Sequence, residues 1–279
     1  MSAIYKSEAG AREIQRRYQE ALRTWPVPAE HIRVPTRQGE TFVIASGPEQ
    51  APPVLLLHGS GANTTMWRSD VTTWSRHFRV HAIDLIGEPG LSAPSRPPLD
   101  SDAYALWLDD VLEALAITST AIVGISLGGW TALDYATRRP DRVTRLALLC
   151  PGGVGRTRSA WLFKAVLLRL FGRRGVRRSA RTVAGLEDLQ DESVLDDLML
   201  TFAQFKPRTA RLPVFSDDAL RSLTLPMLVT VGDRDALFDS ADTARRIRRC
   251  VPHATVRLLP GVGHAIFGQT DSILAFLRT

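Results

Sequence analysis

The chain has 279 residues, 44% of them apolar and 23% charged, which excludes a disordered or fibrous protein. A chain this long can bury about 75% of the surface its unfolded form exposes, enough for one large α/β domain or two small ones. No segment reaches the about 20 apolar residues that span a bilayer. Met1 to Leu22 has no apolar h-region, so no secretory signal and a cytoplasmic location are expected. The net charge of +6 is local: nine basic residues and no acidic ones lie between Arg156 and Arg181. Without these nine the rest of the chain is slightly acidic, so the basic balance belongs to one segment. Two cysteines, Cys150 and Cys250, do not make a disulfide scaffold and read as reduced, buried thiols. No Cys/His cluster has zinc spacing, and no metal or cofactor is expected.

In chain order, the first twenty-odd residues read as an amphipathic helix ending before Trp25-Pro26-Val27-Pro28. His31–Thr36 and Thr41–Ser46 flank Arg37-Gln38-Gly39-Glu40 as a β-hairpin. Continuous apolar runs follow at Val54–Leu57, Val80–Leu85, Ala121–Ile125, Leu146–Leu149, Met227–Val231 and, less purely, Val256–Leu259. Such runs suit strands buried on both faces of a parallel sheet. Helical patterns alternate with them at Ala103–Ala116, Gly128–Arg138, Ser240–Cys250 and Ala265–Leu277. That alternation implies βαβ units and a doubly wound sheet. Pro151–Leu212 breaks the rhythm. It holds no convincing strand but two helical patterns, Ala160–Phe171 and Glu192–Phe205. It reads as a helical insertion over the carboxyl ends of the strands, where ligands bind in open α/β sheets.

The sharpest chemical signal is Gly124-Ile125-Ser126-Leu127-Gly128, where an apolar strand runs through Gly-x-Ser-x-Gly into a helix. A serine on such a tight, strained turn exposes its Oγ, and the flanking glycines avoid steric clash. A nucleophilic serine needs a base, and the base an orienting carboxylate, here in the order Ser, Asp or Glu, His. Only His253 and His264 lie downstream. His264 follows the last strand at a carboxyl end, whereas His253 precedes it, so His264 is the expected base. Asp233, Asp235 and Asp239 follow the strand Met227–Val231 as candidate acids, and Asp233 suits a turn cap. The oxyanion needs two backbone N–H donors, expected at Leu127 and, in the loop His58-Gly59-Ser60-Gly61, at Ser60. His58 reads as a buried ring that fixes this loop. Met66, Trp67, Ile266 and Phe267 adjoin these motifs and are candidates for an apolar substrate pocket, with core packing the competing reading. Trp130 reads as core.

From about Pro53 onward the sequence resembles the α/β-hydrolase superfamily. The resemblance rests on His58-Gly59-Ser60-Gly61, Asp84-Leu85-Ile86-Gly87-Glu88-Pro89-Gly90-Leu91-Ser92, Gly124 to Gly128, Gly232 to Asp235 and Gly263-His264. Trp25-Pro26-Val27-Pro28, Thr64-Thr65-Met66-Trp67 and Asp84-Leu85-Ile86-Gly87 are similar, more narrowly, to bacterial carboxylesterases of that superfamily. The Asp84 segment departs from the commoner Asp-x-x-Gly-x-Gly-x-Ser by one inserted residue, as in those esterases. Ser126 argues against the related dehalogenases and epoxide hydrolases, which use aspartate there.

The resemblance implies an α/β-hydrolase fold with a mostly parallel sheet of about eight strands and a helical lid. Residues 1–28 form the lead-in, 29–151 and 213–279 the core, and 152–212 the lid. The resemblance also selects Asp235 as the acid and implies a serine esterase acting on small-molecule esters. A thioesterase, lactonase, carbon–carbon bond hydrolase or cofactor-free perhydrolase, or a non-catalytic ligand-binding relative, stays open beside it. No nucleic-acid partner is expected. For the basic lid stretch a solvated arginine face is preferred over an anionic substrate or a membrane surface.

Overall fold

The computed structural model describes residues 4–158 and 192–279. The predicted helix over 160–171, and most of the basic stretch, lie outside these residues. Among the described residues eight strands form one sheet: β1 (Ala29–Thr36), β2 (Gly39–Ser46), β3 (Pro53–Leu57), β4 (Arg79–Ile83), β5 (Thr120–Ile125), β6 (Val143–Leu149), β7 (Met227–Gly232) and β8 (Thr255–Leu259). Their order is β1-β2-β4-β3-β5-β6-β7-β8. The first hairpin and the β2–β4 pair are antiparallel, and the remaining pairs are parallel. The hairpin is tighter than its sequence suggests, with Thr36 opposite Gly39. Gly39 takes φ +97°, the left-handed conformation that glycine adopts without a Cβ penalty.

The apolar strands β3 to β7 are largely buried on both faces, whereas the edge strand β8 is half-buried to exposed. Along β3, Leu55 and Leu57 enter one core while Val54 and Leu56 enter the other. On β6, Leu146 and Leu148 alternate with Ala147 and Leu149 in the same way. Helices α3 (Ala103–Ala114) and α4 (Leu127–Arg138) cover the first face, and α2 (Arg68–Trp74) supplies Val71 and Trp74 to the second. After the undescribed stretch come α5 (Glu192–Gln204), α6 (Asp217–Arg221), α7 (Ser240–Cys250) and α8 (Thr270–Arg278). Ala244 and Ile247 of α7 pack on the first face, and Ile273 and Leu277 of α8 on the second.

Helix α1 (Glu8–Arg23) sends Tyr18 and Leu22 into the second core. It also docks against α5. Ile4, Tyr5 and Ile14 cluster with Phe205, Lys6 N–H donates to Gln204 O at 2.7 Å, and Arg17 pairs with Asp197 at 2.8 Å. The last helix is shorter than predicted. It starts at Thr270 rather than Ala265, because Gly268 at φ +69° breaks the helical path. The residues just after His264 are therefore loop. Helix α2 was not predicted: seven residues with β-branched Val71, Thr72 and Thr73 are too short to show a helical period.

Candidate active site

The candidate residues gather where the parallel strands end. Ser126 follows β5 and precedes α4, with φ 54° and ψ −110°. A non-glycine residue held there is strained, and the surroundings hold it. Its N–H donates to Leu149 O at 2.9 Å, and its carbonyl accepts from Trp130 and Gly152. A Cβ on Gly124 would lie 2.6 Å from Gly128 O, and one on Gly128 would overlap the Leu57 carbonyl. The two glycines of the motif are thus demanded by backbone contact.

Ser126 Oγ lies 3.0 Å from His264 Nε2, and His264 Nδ1 lies 2.8 Å from Asp235 Oδ2. Asp235 is fully buried, and its Oδ1 accepts from the N–H groups of Leu237 (2.7 Å) and Phe238 (3.0 Å). These two donors turn the other carboxylate oxygen toward the imidazole. With the proton on Nδ1 facing Asp235, Nε2 presents its lone pair to the serine hydroxyl, the arrangement a hydrolytic serine requires. The His264 side chain is 13% exposed. Burial disfavours its charged form, but the Asp235 carboxylate bonded to it favours that form, and its pKa is raised above the ordinary imidazole value.

The profile of the Alpha/beta hydrolase family matches residues 54–275. The chain belongs to that family. Two relatives from Bacillus subtilis strain 168 match over nearly the whole length. The uncharacterized carboxylesterase Nap is 32% identical over 93% of this chain and 88% of its own. Carboxylesterase YbfK is 30% identical over 93% of this chain and 89% of its own. Among solved structures, carboxylesterase CesB (YbfK) superposes with a TM-score of 0.84 at 26% identity, covering 96% of this chain and 98% of that one. Naproxen esterase from Bacillus subtilis superposes at 0.81 and 28%, covering 98% and 97%.

In this α/β hydrolase the loop after β3 closes over Ser126. A Cβ on Gly59 would sit 3.6 Å from Ser126 Cβ. His58 is fully buried: its Nε2 accepts from Leu85 N–H at 2.9 Å, so its Nδ1–H donates to Gly59 O at 2.8 Å. Burial pushes its pKa down to about 4, so the ring is a neutral strut. Ser60 N–H and Leu127 N–H, the two candidate oxyanion donors, have no acceptor among the described residues.

The other candidates lie elsewhere. Asp233 accepts from Gly261 N–H in a turn, Asp239 caps α7, and His253 contacts Leu225 O at the far end of β8. Trp67 and Ile266 are buried in the second core, Met66 packs partly against it, and Phe267 is 58% exposed. Trp130 is core, its indole N–H bonded to Pro213 O.

Two neighbours of the site were not connected to it in the sequence, although Cys150 reads there as a buried thiol and is one. Cys150, at φ 37° just after β6, donates its thiol to His264 O at 3.0 Å. A cysteine at the end of an apolar strand carries no polar signal. Glu88 was visible as an acid inside Gly87-Glu88-Pro89-Gly90, but nothing local marks it as buried. Among the described residues, Cys150, Asp235 and His264 are the one group with donor atoms close enough to hold a metal. Their donors already engage Ser126, one another and the backbone.

Proposed function

We propose that this chain cleaves carboxylic esters through an acyl-enzyme on Ser126. It is a carboxylic-ester hydrolase, in keeping with the carboxylesterases it matches along nearly its full length. The observation that carries the mechanism is the unbroken chain from Ser126 Oγ through His264 to a buried Asp235.

In the first step Ser126 Oγ attacks the ester carbonyl carbon while His264 Nε2 takes its proton. Asp235 stabilises the imidazolium and does not itself take up the proton. The carbonyl oxygen becomes an anion, held by the N–H groups of Ser60 and Leu127. Leu127 opens α4, so the helix N-terminus adds favourable potential. The intermediate collapses, the C–O bond to the alcohol breaks, and His264 protonates the leaving oxygen. Water, deprotonated by the same ring, then releases the acid and restores Ser126.

In this reading residues 152–212 are the lid. Of its described residues, Thr201 of α5 lies 3.8 Å from where a Cβ on Gly61 would stand, beside the loop after β3. The free, buried Cys150 and Cys250 suit a reducing, cytoplasmic setting.

The test is hydrolysis of a chain-length series of p-nitrophenyl esters by wild type and Ser126→Ala. Turnover by wild type and none by the variant, with a fluorophosphonate labelling only wild type, supports the assignment. Undiminished activity in Ser126→Ala defeats it.

A further inference from the structure

Glu88 lies in the loop between β4 and α3 and is 2% exposed. A carboxylate withdrawn from water this far is costly unless its charge is engaged. Here its partners are the oxyanion loop itself. Glu88 Oε2 accepts from Gly61 N–H at 2.6 Å and from Ser60 Oγ–H at 3.1 Å. Ser60 is therefore gripped through its side chain and through the peptide that follows it. The peptide that precedes it is gripped by His58, whose Nδ1–H holds Gly59 O. That peptide carries Ser60 N–H, so its donor points away from His58, toward the free side of the loop.

We propose that Glu88 is a positioning residue: it holds Ser60 and Gly61 so that Ser60 N–H is pre-aimed at the oxyanion. This rests on the esterase reading above and assigns the loop's rigidity to one side chain. Preorganised donors are worth most where no rearrangement is needed during reaction.

The environment fits a carboxylate kept for this task. Arg96 and Arg208 face Glu88 and favour its charge, yet both guanidinia bond elsewhere. Arg96 donates to Gly87 O (2.9 Å) and Lys206 O (2.6 Å), and Arg208 to Pro97 O (3.1 Å) and Tyr104 Oη (3.0 Å). Two cations at a distance balance the charge without competing for the oxygen that holds the loop. Among the described residues, Tyr5 and Tyr104 also feel its charge. Burial pushes the Glu88 carboxyl up to about 7, while the Gly61 and Ser60 bonds and the two arginines work against that rise.

The experiment compares wild type, Glu88→Gln and Glu88→Ala on p-nitrophenyl butyrate, with rates per active site titrated to completion by a fluorophosphonate. Inhibition by a short-chain trifluoromethyl ketone is measured in parallel, because its adduct on a serine places an oxyanion in the hole. Glu88→Gln keeps an acceptor without charge, and a neutral bond is roughly half as strong. Its kcat is expected to fall about tenfold, and that of Glu88→Ala about a hundredfold, near the loss of one oxyanion donor. KM should stay within about twofold, and the ketone inhibition constant should rise with the loss in kcat. A Glu88→Gln variant with wild-type kcat per titrated site overturns the proposal. So does a loss confined to KM, which would make Glu88 a substrate-binding group. If Glu88→Ala does not fold, Glu88→Gln alone decides. Ser126→Ala, run alongside, separates failure of this proposal from failure of the esterase reading.

Discussion

At Asp235 a single nitrogen-for-oxygen change tests the relay. Asp235→Asn turns an amide toward His264 Nδ1 or loses the bond, and either stabilises the wrong tautomer. A fall in kcat of about 10⁴-fold with little change in KM is expected from steady-state kinetics. The pH profile carries a second test. His264 must be neutral to accept the serine proton, and its pKa is raised. Activity is then present above the raised pKa and lost as pH falls through it. The ascending limb of kcat/KM should lie on the alkaline side of the ordinary imidazole value, and a limb at or below that value contradicts the environment described. Gly128 tests the turn. A methyl there meets the Leu57 carbonyl, so Gly128→Ala should lower stability by about 3 kcal/mol in urea denaturation. Of these residues, Ser126, His264 and both glycines were legible in the sequence, because motif and strand position name them together. Asp235 needed the family resemblance to separate it from Asp233 and Asp239. Cys150 and Glu88 were not connected to the site, because their roles come from neighbours 114 and 27 or 28 positions away.

At the scale of elements, α1 is tied to the site loops by one buried knot. Tyr18 Oη donates to Asp84 at 2.9–3.0 Å and accepts from Thr64 Oγ–H at 2.5 Å. Asp84 also accepts from Thr64 N–H at 3.0 Å and Leu91 N–H at 2.8 Å. Tyr18→Phe leaves this buried carboxylate short of one donor, and a loss of about 1–3 kcal/mol is expected. Equilibrium denaturation measures it, and an unchanged midpoint argues against the knot. The alternating apolar runs predicted the strands closely, since burial on both faces leaves little sequence freedom. The end of the chain misled the helical reading. Ala265, Ile266 and Phe267 look like the start of a helix, but the Gly268 turn keeps them in the loop that carries His264.

For the whole molecule, α1 is part of the fold and not an appendage. Tyr5, Ile14, Tyr18 and Leu22 are all buried against residues far along the chain. At about 1.5–3 kcal/mol for each buried side chain, their loss rivals the net stability of a typical domain. A chain beginning at Pro26 should therefore lack a cooperative thermal transition by near-UV circular dichroism. A truncated chain that melts like the full one refutes this.

By itself the sequence determined the strand pattern, the strained serine turn and the histidine that faces it. Each is written in local terms: apolar periodicity, glycines where backbone meets backbone, and one histidine after the last strand. Only the tertiary structure decided that α1 braces α5, that Cys150 bonds the backbone of His264, and that Glu88 accepts from Ser60 and Gly61. Those contacts join segments remote in the chain, and their side chains acquire direction only when the sheet brings the strand ends together.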